Sequence, residues 1–242
     1  MKSLDRTLAV IRSFDAEHQA MTLSEVARRA DITRAAARRI LLSLADLGYA
    51  EHVGALFRLR PRVLELGFAY LDSMGLAHRG QRALEALTAV IAEPCSMSVL
   101  DDTEIVYVAR SVVSRLVTVS VGVGTRLPAY ATAMGRVLLA GLEPAALDAY
   151  FKRAKFQRFT AKTIVEPARL RRVLAEVRAR GWAYVRDELE IGMEAVAVPV
   201  ADAGGRVVAA ISAYTARVSQ ETAIRSFVPK LRDTAREIGR GG

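Results

Sequence analysis

Between residues 22 and 47 the apolar positions fall at helical spacing twice, with a polar interruption between them. Leu23, Val26, Ala27 and Ala30 share one face of a first short helix. Thr22 stands before it and Glu25 three residues on, the spacing of a capping box. Asp31, Ile32 and Thr33 break the pattern, and either Asp31 or Thr33 can cap the next helix. Ala36, Ile40, Leu44 and Leu47 then line the inner side of that second helix. On its other side Arg34 and Arg38 stand four residues apart with the small Ala35 beside them and Arg39 near the edge. Such a pair suits a helix-turn-helix. Small residues let the second helix approach a DNA major groove while arginines reach guanine edges or phosphates. The alternative is a solvated basic face on an ordinary helical hairpin. Gly48 is placed to end the second helix. The period then drops to two over residues 49–53 and Leu56–Leu59, around Gly54, which predicts a hairpin. A hairpin directly after a recognition helix forms the wing of a winged helix-turn-helix. Arg34, Ala35 and Arg38 are expected to face bases. Thr33, Arg39 and Arg58 are expected to hold phosphates, with Thr22 nearby and Arg60 and Arg62 behind the wing.

Leu4, Leu8, Ile11 and Phe14 predict an earlier amphipathic helix that packs under this pair, with residues 18–21 as a connection. Past the hairpin, Pro61 opens a helix in which Leu64, Gly67, Phe68 and Leu71 form a stripe. The stripe either docks on the rest of the chain or pairs with a second copy. The two half-sites read by helix-turn-helix proteins favour the copy. Residues 81–92 predict another helix, with Leu84, Leu87, Val90 and Ile91 inward. At Glu93 and Pro94 the period changes. Residues 95–100, 104–112 and 116–121 read as strands, with a tight turn at Asp101 and Asp102, and Gly122 and Gly124 break the run. A loop then feeds a helix from about Thr132. Pro144 starts a short helix, and Pro167 a longer one stopped by Gly181. Strands return at residues 183–186, 193–200 and 207–214. Ser219 caps a last helix carrying Ile224, Val228, Leu231, Ala235 and Ile238, which Pro229 should kink or break. Hairpins alternating with helices predict an α+β domain with a mainly antiparallel sheet. The expected division is residues 1–60 for the winged helix-turn-helix, 61–76 for a linker and dimerisation helix, and 77–242 for a ligand-binding and oligomerisation domain.

Composition narrows the picture. A chain of 242 residues with 52% hydrophobic positions is globular and suits two domains. The net charge of +9 favours a polyanionic partner. That charge reads as spread along the chain, so the cluster of Arg28, Arg29, Arg34, Arg38 and Arg39 carries the signal. A single cysteine, Cys95, excludes an internal disulfide and suits a reducing cytoplasm. Asp5, Arg6 and Arg12 interrupt any apolar signal core, and no long uncharged apolar run is present, so neither secretion nor a membrane span is expected. Asp187, Glu188 and Glu190 form a carboxylate cluster that could supply an acid and a base. No histidine follows His78, and no nucleophile or phosphate-loop motif accompanies the cluster, so a solvated loop is the expected reading and no enzyme is. Three scattered histidines and one cysteine offer no metal site, and no cofactor is implied.

Three stretches carry a resemblance. Gly181-Trp182-Ala183-Tyr184, then Asp187-Glu188-Leu189-Glu190-Ile191-Gly192, then Ala197-Val198-Pro199-Val200 resemble the C-terminal signature of IclR-type transcriptional regulators. Within that family, TRAAARRILLSL, FRLRPRVLELGFAYL and AYATAMGRVLLAGL are similar to the Pca and Pob regulators of protocatechuate, 4-hydroxybenzoate and β-ketoadipate catabolism. The resemblance implies a GAF-like effector domain, tetramers built as pairs of dimers, and RNA polymerase as a partner where the regulator activates. It also implies a pocket between the central sheet and residues 129–136, touching Ala133, Met134, Ala195, Ser212 and Tyr214. Several family members carry cysteine at the position of Ala195, and some a polar acid-binding residue at the position of Val185, so a larger ligand than glyoxylate or pyruvate is expected. Backbone N–H groups near Ala133 and Met134 would favour a carboxylate. Arg110 or Arg126 could add a bidentate contact, and Ser96, Ser98, Tyr130 and Thr132 could bond ring hydroxyls. The alternatives are surface pairing of both arginines with Asp101, Asp102 or Glu104, and Tyr130 as a core aromatic. The function implied is control of a catabolic operon, with a small aromatic or dicarboxylic acid as effector. A DNA-binding regulator without a ligand is the alternative.

Overall fold

In the computed structural model, which describes residues 2–113, 121–215 and 218–240, contacts divide the chain into two units, Met1–Tyr70 and Leu71–Gly242. The first unit begins with α1 (Lys2–Arg12), β1 (Ala20–Thr22), α2 (Leu23–Arg29) and α3 (Arg34–Asp46). The Thr22–Glu25 box is closed in both directions: Glu25 N–H donates to the Thr22 hydroxyl (3.3 Å) and Thr22 N–H to the Glu25 carboxylate (2.8 Å). Thr33, not Asp31, caps α3, accepting from Ala36 N–H at 3.2 Å, while Asp31 makes the bend at a φ of 51°. The inner face of α3 is Ala36, Ala37, Leu41 and Leu44, with Ile40 half-buried beside them, so the expected stripe holds at Ala36, Ile40 and Leu44 and widens to take in Ala37 and Leu41. Leu47 is 60% exposed because it lies past the last helical turn. Likewise Val10, not Leu4, is the buried residue of α1.

The wing forms as predicted, from β2 (Ala50–Val53) and β3 (Leu56–Leu59). A third strand joins it: β1, expected as a connection, pairs antiparallel with β3, with Met21 opposite Phe57. Three residues are too few to show a period of two. Val10, Met21, Val26, Leu41, Leu44 and Phe57 close a small core. A 3₁₀ turn at Pro61–Leu64 then leads into α4 (Glu65–Met74). Leu64, Leu66, Phe68 and Tyr70 are each at least half exposed.

The second unit is built on one six-stranded antiparallel sheet. Its elements are α5 (Leu76–Ile91), β4 (Cys95–Asp101), β5 (Glu104–Ser111), β6 (Arg126–Pro128), α6 (Ala133–Ala140), α7 (Pro144–Arg153), α8 (Pro167–Arg180), β7 (Ala183–Arg186), β8 (Glu194–Ala201), β9 (Val207–Tyr214), α9 (Gln220–Thr222) and α10 (Val228–Gly239). The strand order is β6-β5-β4-β9-β8-β7. Because side chains alternate along each strand, the sheet owns two cores. Met97, Val198 and Ile211 meet Leu84 of α5 and Leu231 and Ile238 of α10. On the other face Ile105, Ala197 and Ala210 meet Leu139 of α6 and Leu170 and Leu174 of α8. The strand predicted over residues 116–121 falls on positions 116–120, outside the described residues. Val90, expected inward, is 65% exposed on α5. Pro229 neither ends nor misdirects the last helix. A π-helical turn, Ala223–Phe227, absorbs the mismatch and leaves the proline in the first turn of α10, where its missing N–H costs nothing.

Candidate DNA-reading helix and effector cavity

Arg34, Ala35, Arg38 and Arg39 share the outward face of α3, all exposed, and Leu42 joins them at 37% exposure. Among the described residues none of the three arginines is held in an ion pair. Arg29 is different: Asp15 takes it at 2.6 Å and the Ser13 carbonyl at 2.8 Å, so it braces α2 against the end of α1. The Thr22 and Thr33 hydroxyls are already engaged as caps. On the wing, Arg58 Nε donates to Glu51, directly opposite it across the hairpin, and Arg60 Nε lies 3.9 Å from the other Glu51 oxygen. Glu51 escaped the sequence reading, although its pairing with both arginines is visible once the hairpin register is known. Arg62 packs over the Tyr49 ring and donates to the Leu47 carbonyl at 3.0 Å, tying the wing to the end of α3.

In the second unit a cavity lies between the sheet and the N-terminus of α6. Thr132, Ala133, Met134, Ala195 and Ser212 line it, with Val185 beside Ala195. Tyr107, Leu127, Ala131, Leu189 and Met193 complete the wall and were missed. Leu127 arrives through β6, which read as loop; its pairing with β5, the strand that carries Tyr107, sets Leu127 opposite Ile105 and turns it inward. Burial pushes the Tyr107 hydroxyl up to about 12, with the Arg110 charge opposing that shift, so the phenol is a neutral donor at physiological pH. Thr132 caps α6, accepting from Gly135 N–H at 3.0 Å. The N–H groups of the first helical turn have no intrahelical acceptors.

Several expected contacts lie elsewhere. Arg126 alternates with Leu127 and so faces out, where Asp101 and Glu104 hold it, each at 2.7 Å. Tyr130 is a core aromatic. Its hydroxyl donates to the Gln157 carbonyl and accepts from the Gln157 N–H, both at 2.7 Å, and its ring packs on Phe156. Ser98 is fully buried and donates to the Met134 sulfur at 3.3 Å, which places it behind the wall. Ser96 stands opposite Ser212 on one side and Arg110 on the other. Arg110 does not pair with Asp101, Asp102 or Glu104; its backbone is clasped by Gln81 and its Nε is buried with no acceptor among the described residues. The Tyr214 hydroxyl donates to the Gly192 carbonyl at 3.1 Å, securing the loop that bears Leu189 and Met193.

That loop is not the solvated segment expected of Asp187, Glu188 and Glu190. Asp187 and Glu188 are 7% exposed, and only Glu190 faces water. Lys162 (2.6 Å) and then Gly192 N–H (2.6 Å) hold the Asp187 carboxyl below the usual carboxylate range. Glu188 accepts from Arg136 Nη2 at 2.6 Å and from Ile164 N–H at 3.0 Å. Their oxygens are committed to structure, which leaves no free acid–base pair. No His, Cys, Asp and Glu cluster able to hold a metal occurs among the described residues. None of their helices is long and apolar enough to cross a membrane.

Comparison with known proteins agrees with this anatomy. Residues 68–240 match the family described as bacterial transcriptional regulator IclR C-terminal, and residues 3–54 match the IclR helix-turn-helix domain. The chain is 41% identical to the Pca regulon regulatory protein of Pseudomonas putida, over 98% of this chain and 83% of that protein. Among solved structures, a transcriptional regulator of Rhodococcus sp. RHA1 superposes with a TM-score of 0.88 at 48% identity, covering 99% of this chain and 97% of that one. An IclR homologue of Microbacterium hydrocarbonoxydans, solved with 4-hydroxybenzoate, gives a TM-score of 0.86 at 26% identity, covering 98% and 97%. The chain therefore belongs to the IclR family, in the branch of the Pca and Pob regulators, as a DNA-binding transcriptional regulator and not an enzyme.

Proposed function

We propose that this regulator senses a small aromatic acid of the hydroxybenzoate class and controls an operon that degrades it, within the β-ketoadipate pathway. One observation carries the reading: a mostly apolar cavity with the start of α6 at one end and the Tyr107 and Ser212 hydroxyls in its wall. A carboxylate fits the N–H groups of Ala133 and Met134. A ring fits between Leu127, Val185, Leu189 and Met193, and a ring hydroxyl reaches Ser212 or Tyr107. The cavity measures about 50 Å³, against roughly 150 Å³ for one that holds benzene. Ligand entry therefore requires the flexible Met134 and Met193 to move aside, as unbranched thioethers do readily. The 4-hydroxybenzoate bound to the Microbacterium homologue supports this class of ligand.

The same reading assigns residues 1–60 to DNA, 61–76 to dimerisation through the exposed face of α4, and 77–242 to the effector. Dimers pair into tetramers in the cytoplasm, and RNA polymerase is the further partner if the protein activates. Arg34, Ala35 and Arg38 read bases, and Thr33, Arg39 and Arg58 contact phosphates, with Thr22 at the margin. Arg58 reaches a phosphate only by leaving Glu51. Replacing Arg38 with Ala is expected to weaken operator binding by about 1–3 kcal/mol and relax specificity at one base pair. Competition binding against random duplex checks this, and equal losses on both DNAs would reduce Arg38 to a phosphate contact.

The effector is tested by thermal shift with protocatechuate, 4-hydroxybenzoate and β-ketoadipate. An acid at about 100 times its Kd should stabilise the folded protein by about 2.7 kcal/mol. A flat response to all three overturns the effector reading and leaves the DNA-binding one standing.

A further inference from the structure

The charge of this chain is concentrated. Residues 144–180 hold ten Lys and Arg against three Asp and Glu, a net of +7 out of +9. The first 80 residues, which include the DNA-reading helix, hold 12 against nine, a net of +3. Most of the net charge thus falls on α7, α8 and the loop between them, in the effector domain.

This layer is preformed. Tyr150, Leu170, Leu174 and Val177 seat both helices in the core, and the connecting loop is pinned where Arg158 donates to the Ala161 and Thr163 carbonyls. Ion pairs cancel part of its charge. Asp148 is taken by Arg171 at 2.7 Å and Glu166 by Arg158 at 3.3 Å, while Arg153 and Lys162 pair with acids of other elements, Asp102 at 2.8 Å and Asp187 at 2.6 Å. Lys152, Lys155, Arg169 and Arg172 are exposed, and no ion pair holds them among the described residues. Between the cations of α8 the exposed positions include Ala168, Ala175 and Ala179, small enough for a sugar–phosphate backbone to approach the helix, and one acid, Glu176. The effector cavity uses none of these groups. Crowding one sign of charge on a face repels and destabilises the free fold, so such a face is worth its cost where a polyanion cancels it.

We propose that the α7–α8 layer is a second DNA-contact surface, which binds the phosphate backbone of a duplex without reading bases. Duplex DNA is the polyanion this regulator meets whenever it acts. An acidic protein is a poorer match, because protein interfaces are anchored by buried aromatic and apolar residues, and the large apolar side chain exposed here is Phe159, at 39%. The duplex is either the one held by α3, extended past its recognition site, or a second one.

The test uses the full chain carrying K152Q, K155Q, R169Q and R172Q together, with random-sequence duplexes of two lengths, and reads affinity against salt. Each lost phosphate contact flattens the slope of log K on log salt by about 0.9. The expected result is a slope shallower by about 2–4 and a fall in affinity that grows as salt is lowered. A deficit on the long duplex alone identifies the flanks of DNA held by α3. A deficit on both lengths identifies a second duplex. The charge-conserving set K152R, K155R, R169K and R172K should restore the wild-type slope, since the contacts are with phosphate and not with bases. Unchanged slope and affinity in the neutralised protein on both duplexes overturns the proposal. So does a deficit equally large in the charge-conserving set, which would trace the loss to the fold.

Discussion

Replacing Arg136 with Ala is expected to destabilise the effector domain by about 3–5 kcal/mol, because it strands Glu188 as an unpaired buried charge. The two side chains are 4% and 8% exposed, and their closest atoms are 2.6 Å apart. Arg136 also donates from Nε to the Tyr130 carbonyl at 3.0 Å, so its loss leaves an acceptor open as well. A matched apolar pair, R136M with E188L, should recover only part of the loss: it removes the stranded charge, but leaves the Tyr130 carbonyl and the Ile164 N–H without their partners. Trp182 is the single tryptophan and packs against this domain, so its fluorescence during urea unfolding reports this unit and not the winged helix-turn-helix. Arg136 lies two residues past Met134, and Glu188 stands next to Leu189, so the pair ties two walls of the cavity together. The response to an acid should therefore weaken along with stability. A loss below about 1 kcal/mol for R136A would show that water screens the pair as it does surface pairs.

What was legible in the sequence was local, and what was not depended on distant partners. The Thr22–Glu25 box, the left-handed stop at Gly181 and the wing around Gly54 are set within a few residues, and each forms as read. Thr132, Ala133 and Met134 sit on one helix start, so their placement follows from finding that helix. Asp187 and Glu188 read as solvated because their partners are far along the chain: Lys162 is 25 residues away and Arg136 is 52. Arg126 faces away from the cavity for a reason that appears only once β6 is known to pair with β5, when alternation turns Leu127 in and Arg126 out. The basic layer needed no structure to be counted, but the whole-chain total hid it. Only the fold shows that α7 and α8 present those cations on a rigid support.

Gly135→Ala tests the cavity more sharply than any change in its lining. A Cβ at Gly135 would stand 2.0 Å from the Ala129 carbonyl oxygen and 2.4 Å from Ala129 Cα. Both are backbone atoms, so no rotamer relieves the contact and α6 must shift away from the 3₁₀ turn at Ala129–Ala131. The cost should reach or exceed the roughly 1–3 kcal/mol of ordinary overpacking. Losing the Thr132 cap on Gly135 N–H would add about 1 kcal/mol. Because Ala131, Thr132, Ala133 and Met134 all line the cavity, the shift opens the wall that would receive the carboxylate. The expected result is a ligand Kd raised by about tenfold or more, the equivalent of about 1.4 kcal/mol. Affinity for DNA should stay near wild type, since the winged helix-turn-helix has its own core. Gly122→Ala is the control, because a Cβ there meets nothing within 4 Å. If Gly135→Ala unfolds early yet binds acid as tightly as wild type, the start of α6 is structural only, and the carboxylate must be held elsewhere. If both ligand and stability are lost while Gly122→Ala changes neither, the packing of the α6 terminus against Ala129 is what holds the cavity in shape for the acid.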